Sequence, residues 1–411
     1  MILLRIPIVL SALAALTQAQ NPAAKSARVA LYAGVGHELI HYEVDVGGAT
    51  LVRRESLTVP DNIQYAWPHP SREFLYVAWS NGAGAGHHGV TAFRLDRKSG
   101  ALSQHGKPVT LAERPVHITV DIPGTHLLAA YSDPSGLSVH TLAPDGTIGG
   151  EVKQPAPIDV GIYGHQVRVD PSNKSVILVT RGNGPAAGKP EDPGALKIFG
   201  YKDGILTNRA SIAPNRGFGF QPRHLDFDPA GHWVFVSLER QNQLQVYRRM
   251  ADGTMSGAPL FTRDSLTGTD RGRAGQAAGT VHVHPGGKFV YQANRAGGTV
   301  EFEGKRVFAG GVNAIAVYAV DVKTGEPRLI QNADTRGFEP RTFTLDPGAR
   351  ILIAGNQNPA LVRDGKKIST VPASLAVFRI RDDGQLDFVR KYDIETSGGS
   401  SLFWMGFAPL P

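Results

Sequence analysis

Arginine, histidine and glutamate recur in this chain at fixed offsets from a repeated Asp-Pro or His-Pro turn. Counting six residues back from the turn proline gives Gln64, His165, Arg223 and Arg341. Counting ten residues forward gives Arg181, Glu239, Arg295 and Gln357. His117 stands six residues before Pro123, but that turn, Asp121-Ile122-Pro123, carries an extra residue, so counted from Asp121 it falls one place further along. A set holding four arginines, one carboxylate and two histidines is costly to desolvate unless the charges serve one another or a ligand. Any one such arginine reads most simply as a structural tether. The matched set reads as a site for an anionic small molecule, because the planar guanidinium fork grips carboxylate or phosphate with two parallel hydrogen bonds. His165 and Glu239 are the candidates for proton transfer, and residue types alone leave open which is the base. Arg168, further along the strand of His165, is expected to stand apart from the site.

Other chemistries are poorly served. His282 and His284 lie on one side of a strand, but His284 fills the turn slot that aspartate holds elsewhere, so a metal site is not expected. His87 and His88 lie within a glycine-rich insertion, Gly82–Gly89, and read as loop surface; the insertion has no Gly-Lys-Ser/Thr ending and is therefore no phosphate-cradling loop. The chain has no cysteine and no Gly-x-Ser-x-Gly elbow, which leaves no thiol nucleophile and no hydrolase-type serine motif. No cofactor is implied.

The elements that must position these residues are short strands. Seven apolar strands, at Glu38–Val44, Val90–Leu95, Leu137–Leu142, Leu196–Tyr201, Gln243–Arg248, Ile315–Val320 and Leu375–Ile380, each run into a polar turn bearing glycine. Four of those turns are Asp-Gly, a direct hairpin signal, since glycine takes positive φ without steric cost. Interleaved with them, the Asp/His-Pro turn precedes a second apolar strand six times: Phe74–Trp79, Leu127–Tyr131, Val176–Thr180, Trp233–Leu238, Phe289–Ala293 and Ile351–Ala354. This double repeat predicts an all-β seven-bladed propeller with four-stranded antiparallel blades. The seventh turn is cut off at Ala408-Pro409, and its missing partner strand is Val29–Ala33 at the other end of the chain. The last blade is therefore expected to take its inner strand, Leu402–Phe407, from the C-terminus and the others from the N-terminus, closing the ring and removing exposed sheet edges. In a propeller the two columns of polar residues converge on one mouth of the central channel. Four insertions, Gly182–Gly194, Ser265–Gly279, Glu303–Gly311 and Asn358–Val371, interrupt the repeats, and the first, second and fourth are expected to wall that mouth.

Composition agrees with this. The chain has 411 residues, of which 48 are glycine and 28 proline, a bias toward many short strands rather than helices. Arg5, the apolar run Ile6–Leu16 and the small residues Thr17 and Ala19 read as a signal peptide over residues 1–19. A short linker, 20–28, and a single propeller domain, 29–411, would follow. The apolar run is shorter than the roughly 20 residues that span a bilayer, so a secreted or periplasmic protein without membrane insertion after cleavage is expected. The net charge of +7 fits an anionic small-molecule partner. Lysine and arginine are nowhere interleaved with aromatics, which argues against nucleic acid. A monomer is expected.

With these residues in view, the chain resembles the seven-bladed propeller lactonase family, whose members include 6-phosphogluconolactonases and carboxymuconate lactonising enzymes. The resemblance is clearest in Gly164-His165-Gln166-Val167-Arg168-Val169-Asp170-Pro171 and Gln221-Pro222-Arg223-His224-Leu225-Asp226-Phe227-Asp228-Pro229. It continues through Val236-Ser237-Leu238-Glu239, Gln292-Ala293-Asn294-Arg295 and Glu339-Pro340-Arg341. The resemblance implies His165, Arg223, Glu239 and Arg295 as the catalytic set; the other residues of the columns, Arg341, Arg181, Gln64, His117 and Gln357, are the expected substrate-binding neighbours. The expected activity is metal-independent hydrolysis of a small anionic or polyhydroxy, sugar-acid type lactone. A muconolactone-type cycloisomerase using the same residues and a non-catalytic binding propeller are the alternatives.

Overall fold

A computed structural model describes residues 29–410 except 83–85, 187, 269–272 and 397. The expected leader 1–19 and linker 20–28 lie outside the described residues. Seven four-stranded antiparallel sheets form the ring. Blades 1 to 6 begin on the inner strands Ile63–Pro68, Pro115–Val120, Gly164–Val169, Pro222–Phe227, Gln276–Val283 and Pro340–Leu345. In blade 7 the inner strand, Leu402–Pro409, comes from the end of the chain and pairs with Val29–Val35. Glu38–Asp45 and Thr50–Thr58 complete that blade. No helix among the described residues is long and apolar enough to cross a membrane.

The core is not one mass but seven apolar layers, one per seam between neighbouring blades. Phe74, Tyr76 and Ala78 of blade 1 pack on Ile118, Val120 and Leu127 of blade 2. The same arrangement repeats around to Trp404 and Ala408 of blade 7, which pack on Leu75 and Val77 of blade 1. Each middle strand is therefore buried on both faces, which is why Phe74–Ser80, Ser175–Thr180 and Trp233–Leu238 read as unbroken apolar runs rather than alternating ones.

The outer hairpins add a lock. Gly146, at φ +86°, sits so close to Phe74 of the preceding blade that a Cβ would meet the ring at 2.5 Å. Gly384 lies against Phe289 and Gly325 against Trp233 in the same way. The carbonyls of Gly146 and Gly384 accept hydrogen bonds from the Tyr76 and Tyr291 hydroxyls, both at 3.0 Å. Glycine is demanded twice at these positions, once by the turn and once by the neighbouring blade.

All inner strands start at the same end of the channel, here called the upper mouth, and end in the Asp/His-Pro turns at the lower. The long insertions follow second strands or precede inner strands, so all of them rise from the upper face. This includes Glu303–Gly311. It belongs to a hairpin, Thr299–Phe302 with Lys305–Phe308, that leads on from Arg295. That hairpin leans on a second one, Ala360–Asp364 with Lys367–Val371, where the Arg363 guanidinium lies 4.1 Å from the Phe302 ring centre. Together they wall the mouth above blades 5 and 6.

Candidate active site

Each column residue occupies a break in its strand ladder. Pairing along the inner strand skips one residue between Ile63 and Tyr65, Gly164 and Gln166, Pro222 and His224, and Pro340 and Thr342. The skipped residues are Gln64, His165, Arg223 and Arg341. A bulge leaves its extra residue unpaired and re-aims its side chain. In blade 5 the skipped positions are Gly279 and Thr280, so Gly279 puts no side chain there. In blade 7 the skipped residue is Phe403.

In blade 2 the skip falls between Pro115 and His117, so Val116 takes the column position. His117 thus lies one layer below the mouth, fully buried against Tyr65 and facing His224 at 6.2 Å between ring centres. His224 in turn lies 5.1 Å from His165. Burial holds all three imidazoles well below the usual histidine pKa, helped by Arg168 at His117 and by Arg223 at His165 and His224.

The second column brings its residues onto the first. Glu239 is the hub. Its carboxylate accepts from Arg223 Nε at 3.1 Å, from Arg181 Nη1 at 3.0 Å and from Arg295 Nη2. Burial pushes its pKa up, but the charges of Arg295, Arg223 and Arg181 outweigh that and hold it at about 2. Burial and the facing Arg295 lower Arg223, to about 9, against the pull of Glu239. Arg181 lies 4.0 Å over the Tyr163 ring and Arg341 3.8 Å over the Phe403 ring. Among the described residues Arg341 makes no ion pair. Gln357 joins the site through its backbone, donating to the Glu339 carbonyl at 3.1 Å and accepting from Leu402 at 3.1 Å.

Three polar atoms at this hub are buried without a protein partner: Arg223 Nη1, Arg295 Nε and His165 Nδ1. Buried donors are almost always satisfied in folded proteins, so unmatched ones that converge mark where water or a ligand belongs. Two cationic donors beside a neutral imidazole can bind an oxyanion and take up a proton. Among the described residues no three metal-ligating side chains come together. His284 Nδ1 accepts from the Gly286 amide at 2.9 Å, which is the turn role its position implied.

Two residues outside the columns take roles that their sequence did not show. Arg168 stays out of the upper mouth but is not idle. It donates to Asp226 at 3.0 Å and lies 5.1 Å from the Trp67 ring, lining the lower mouth. His88 is not loop surface but buried in its strand, with Nδ1 2.8 Å from Ser80 Oγ. The lower mouth holds a cavity of about 650 Å³, walled largely by proline and aromatic side chains, in which Arg168 is already paired with Asp226. The unmatched atoms of Arg223, Arg295 and His165 lie at the other end, beside the Glu239 hub.

Sequence reading missed Arg114. It donates through Nε and Nη2 to Gln64 Oε1, at 3.0 and 2.9 Å. It stands two residues before the column position of blade 2, as Tyr163, Gln221 and Glu339 do in blades 3, 4 and 6. A third column at that offset was the available signal. The extra residue in the Asp121 turn hid it by displacing the count from Pro123.

A family model described as "Lactonase, 7-bladed beta-propeller" matches residues 27–363. A 6-phosphogluconolactonase of Bacillus subtilis is 26% identical over 345 residues, covering 80% of this chain and 87% of its own. A second, from Photorhabdus laumondii, is 23% identical over 305 residues, covering 74% of this chain and 80% of its own. The solved structure of a periplasmic gluconolactonase from Pseudomonas aeruginosa superposes with a TM-score of 0.67 at 21% identity, covering 93% of this chain and 100% of that one.

Proposed function

Because the chain belongs to the seven-bladed β-propeller lactonase family, we propose that it hydrolyses a small anionic or polyhydroxy sugar-acid lactone at the upper channel mouth. The observation that carries this reading is the hub itself: Arg223 and Arg295, locked by Glu239, each keep a buried donor unmatched beside neutral His165. The names of its relatives, 6-phosphogluconolactonase and gluconolactonase, support the sugar-lactone class. The leader-like N-terminus supports an exported, periplasmic or secreted enzyme.

The unmatched donors of Arg223 and Arg295 bind the lactone carbonyl oxygen and hold the negative charge that forms when water adds to the carbon. His165 takes the proton of the attacking water. As the ring C–O bond breaks, the same proton passes to the departing alkoxide, so the product is a hydroxy acid. Glu239 is not given this role, because its oxygens already accept from three arginines. It sets the arginines instead, and no metal ion is needed in this scheme.

The test is hydrolysis of a lactone panel in heavy-oxygen water. One labelled oxygen should appear in the product carboxylate, whereas a cycloisomerase of the muconolactone type would incorporate none. Arg295→Ala should lower turnover about 10²–10³-fold, as loss of one oxyanion donor does. His165→Ala should cost about 10²–10⁴-fold, the usual worth of a positioned base. Folded variants turning over at the parent rate would remove the site from the upper mouth.

A further inference from the structure

The upper mouth holds more positive charge than the reacting centre uses. Arg181, Arg223 and Arg295 share Glu239, but Arg341 and Arg114 pair with no carboxylate among the described residues. Arg341 is held flat on the Phe403 ring, and Arg114 is clamped by a neutral amide. Gln64 is itself fixed, since its Nε2 donates to the Asn62 carbonyl at 3.0 Å. The protein thus orders two long cationic side chains with an aromatic face and an amide, neither of which cancels their charge. Holding such side chains in one geometry costs rotamer entropy, which is recovered only when something anionic completes the site.

A place for that something lies beside them. A cleft of about 210 Å³ opens at the seam between blades 7 and 1, lined by Asn62, Gln64, Asn81, Arg114, Ser401 and Phe403. Phe403 is the skipped residue of blade 7, so the break that serves the catalytic column in other blades here supplies an aromatic wall. Arg341 joins the two regions. Burial lowers the pKa of Arg341 most, and the charges of Arg223 and Arg295 at the hub and of Arg114 at the seam lower it further. The arginines form one arc that runs from the hub to the seam.

We propose that Arg114 and Arg341, positioned by Gln64 and Phe403, form a second anion subsite that binds a carboxylate or phosphoryl group on the end of the substrate remote from the lactone carbonyl. This rests on the lactone-hydrolase reading and makes the enzyme selective by charge at the far end of its substrate. The hub performs the reaction; the seam chooses which lactone stays long enough to react. Carboxylate and phosphoryl ends share the chemistry that two guanidinium forks recognise.

The experiment compares three aldonolactones of equal chain length, ending in a hydroxymethyl, a carboxylate or a phosphoryl group. The wild-type protein should prefer one or both anionic ends, mainly through KM. Arg114→Ala should lower kcat/KM on the preferred anionic lactone about 10²-fold while the neutral lactone loses less than about threefold, as expected for one charged hydrogen-bond partner. Gln64→Leu, which keeps Arg114 but frees it, should give a smaller loss in the same direction. Equal rates on all three lactones, or an Arg114→Ala loss as large on the neutral lactone as on the charged ones, would overturn the subsite. A binding measurement keeps it separable from the catalytic reading. Titration with inorganic phosphate should show weaker binding to Arg114→Ala and Arg341→Ala than to wild type, whether or not any lactone is turned over. Unchanged phosphate affinity in both variants would also overturn it.

Discussion

Glu239 and His165 are both plausible bases on paper, and only their surroundings separate them. Three guanidinium groups fix Glu239 in its charged form at about 2, leaving it a poor acceptor of a proton from water. His165 is kept neutral by burial and the charges of Arg223, Arg181 and Arg341, and unlike Glu239 it retains a ring nitrogen, Nδ1, without a protein partner. Its lowered pKa has a testable consequence. The base must be neutral to act, so activity is lost only as pH falls through the depressed value. The acid limb of kcat/KM should lie below pH 6.5, the ordinary histidine value, with no inflection there. A limb centred at 6.5 or above would assign the base elsewhere. Stability sets the lower bound of that experiment. His117, His165 and His224 are all depressed in the fold, so the unfolded chain takes up protons first as pH drops below 6.5. Each contributes a loss of about 1.4 kcal/mol per pH unit until its folded pKa is reached. Glu239 adds to this only below 4.5, its unfolded value, and its contribution falls away toward pH 2. The columns were legible in sequence because a propeller repeats its strand geometry. The choice of base was not, because it depends on three arginines that come from three different blades.

At the scale of the strand and hairpin, glycine shows where sequence reading stops. Asp383-Gly384 is plainly a hairpin turn, and its φ of +81° is what such a turn requires. Sequence cannot reveal that Phe289, 95 positions earlier, presses on the same glycine, since that contact exists only once blades 5 and 6 are side by side. The inner-strand bulges are hidden for the same reason. The one-residue skip shows only in the pairing register, and it moved His117 out of the site and Arg114 into it. Two substitutions separate the turn from the seam. Gly365 has φ +58° with nothing within 4 Å of a Cβ, so Gly365→Ala pays backbone strain alone, about 1 kcal/mol. Gly384→Ala adds a Cβ 2.3 Å from Phe289 Cδ1, which must displace a packed ring. It should cost about 2–4 kcal/mol in urea unfolding, with lactone turnover unchanged in the folded fraction. Equal losses at the two positions would show that the turn alone demands the glycine.

The whole molecule depends on a closure made by its two ends. Without its inner strand blade 7 would expose the edge of Val29–Val35 to the channel, and here that strand arrives last. Leu402 and Met405 pack into the layer between blades 6 and 7, while Trp404, Ala408 and Leu410 pack into the layer between blades 7 and 1. One strand therefore serves two of the seven apolar layers, and its residue Phe403 also carries Arg341. Deleting Leu402–Pro411 unpairs Val29–Val35, opens both layers and removes the floor of the proposed seam subsite. Losing a single large buried side chain typically costs about 2–5 kcal/mol. Several lost together exceed the roughly 5–15 kcal/mol by which domains are stable. The truncated chain should therefore lose its cooperative thermal transition altogether, not melt a few degrees lower. A synthetic peptide of residues 402–411 supplied in trans should restore the transition in proportion to its concentration, because binding the native form alone stabilises it by mass action. If calorimetry finds the truncated chain melting like the intact one, six blades hold together unaided, and the pairing of the two ends is an ornament of the fold rather than its lock.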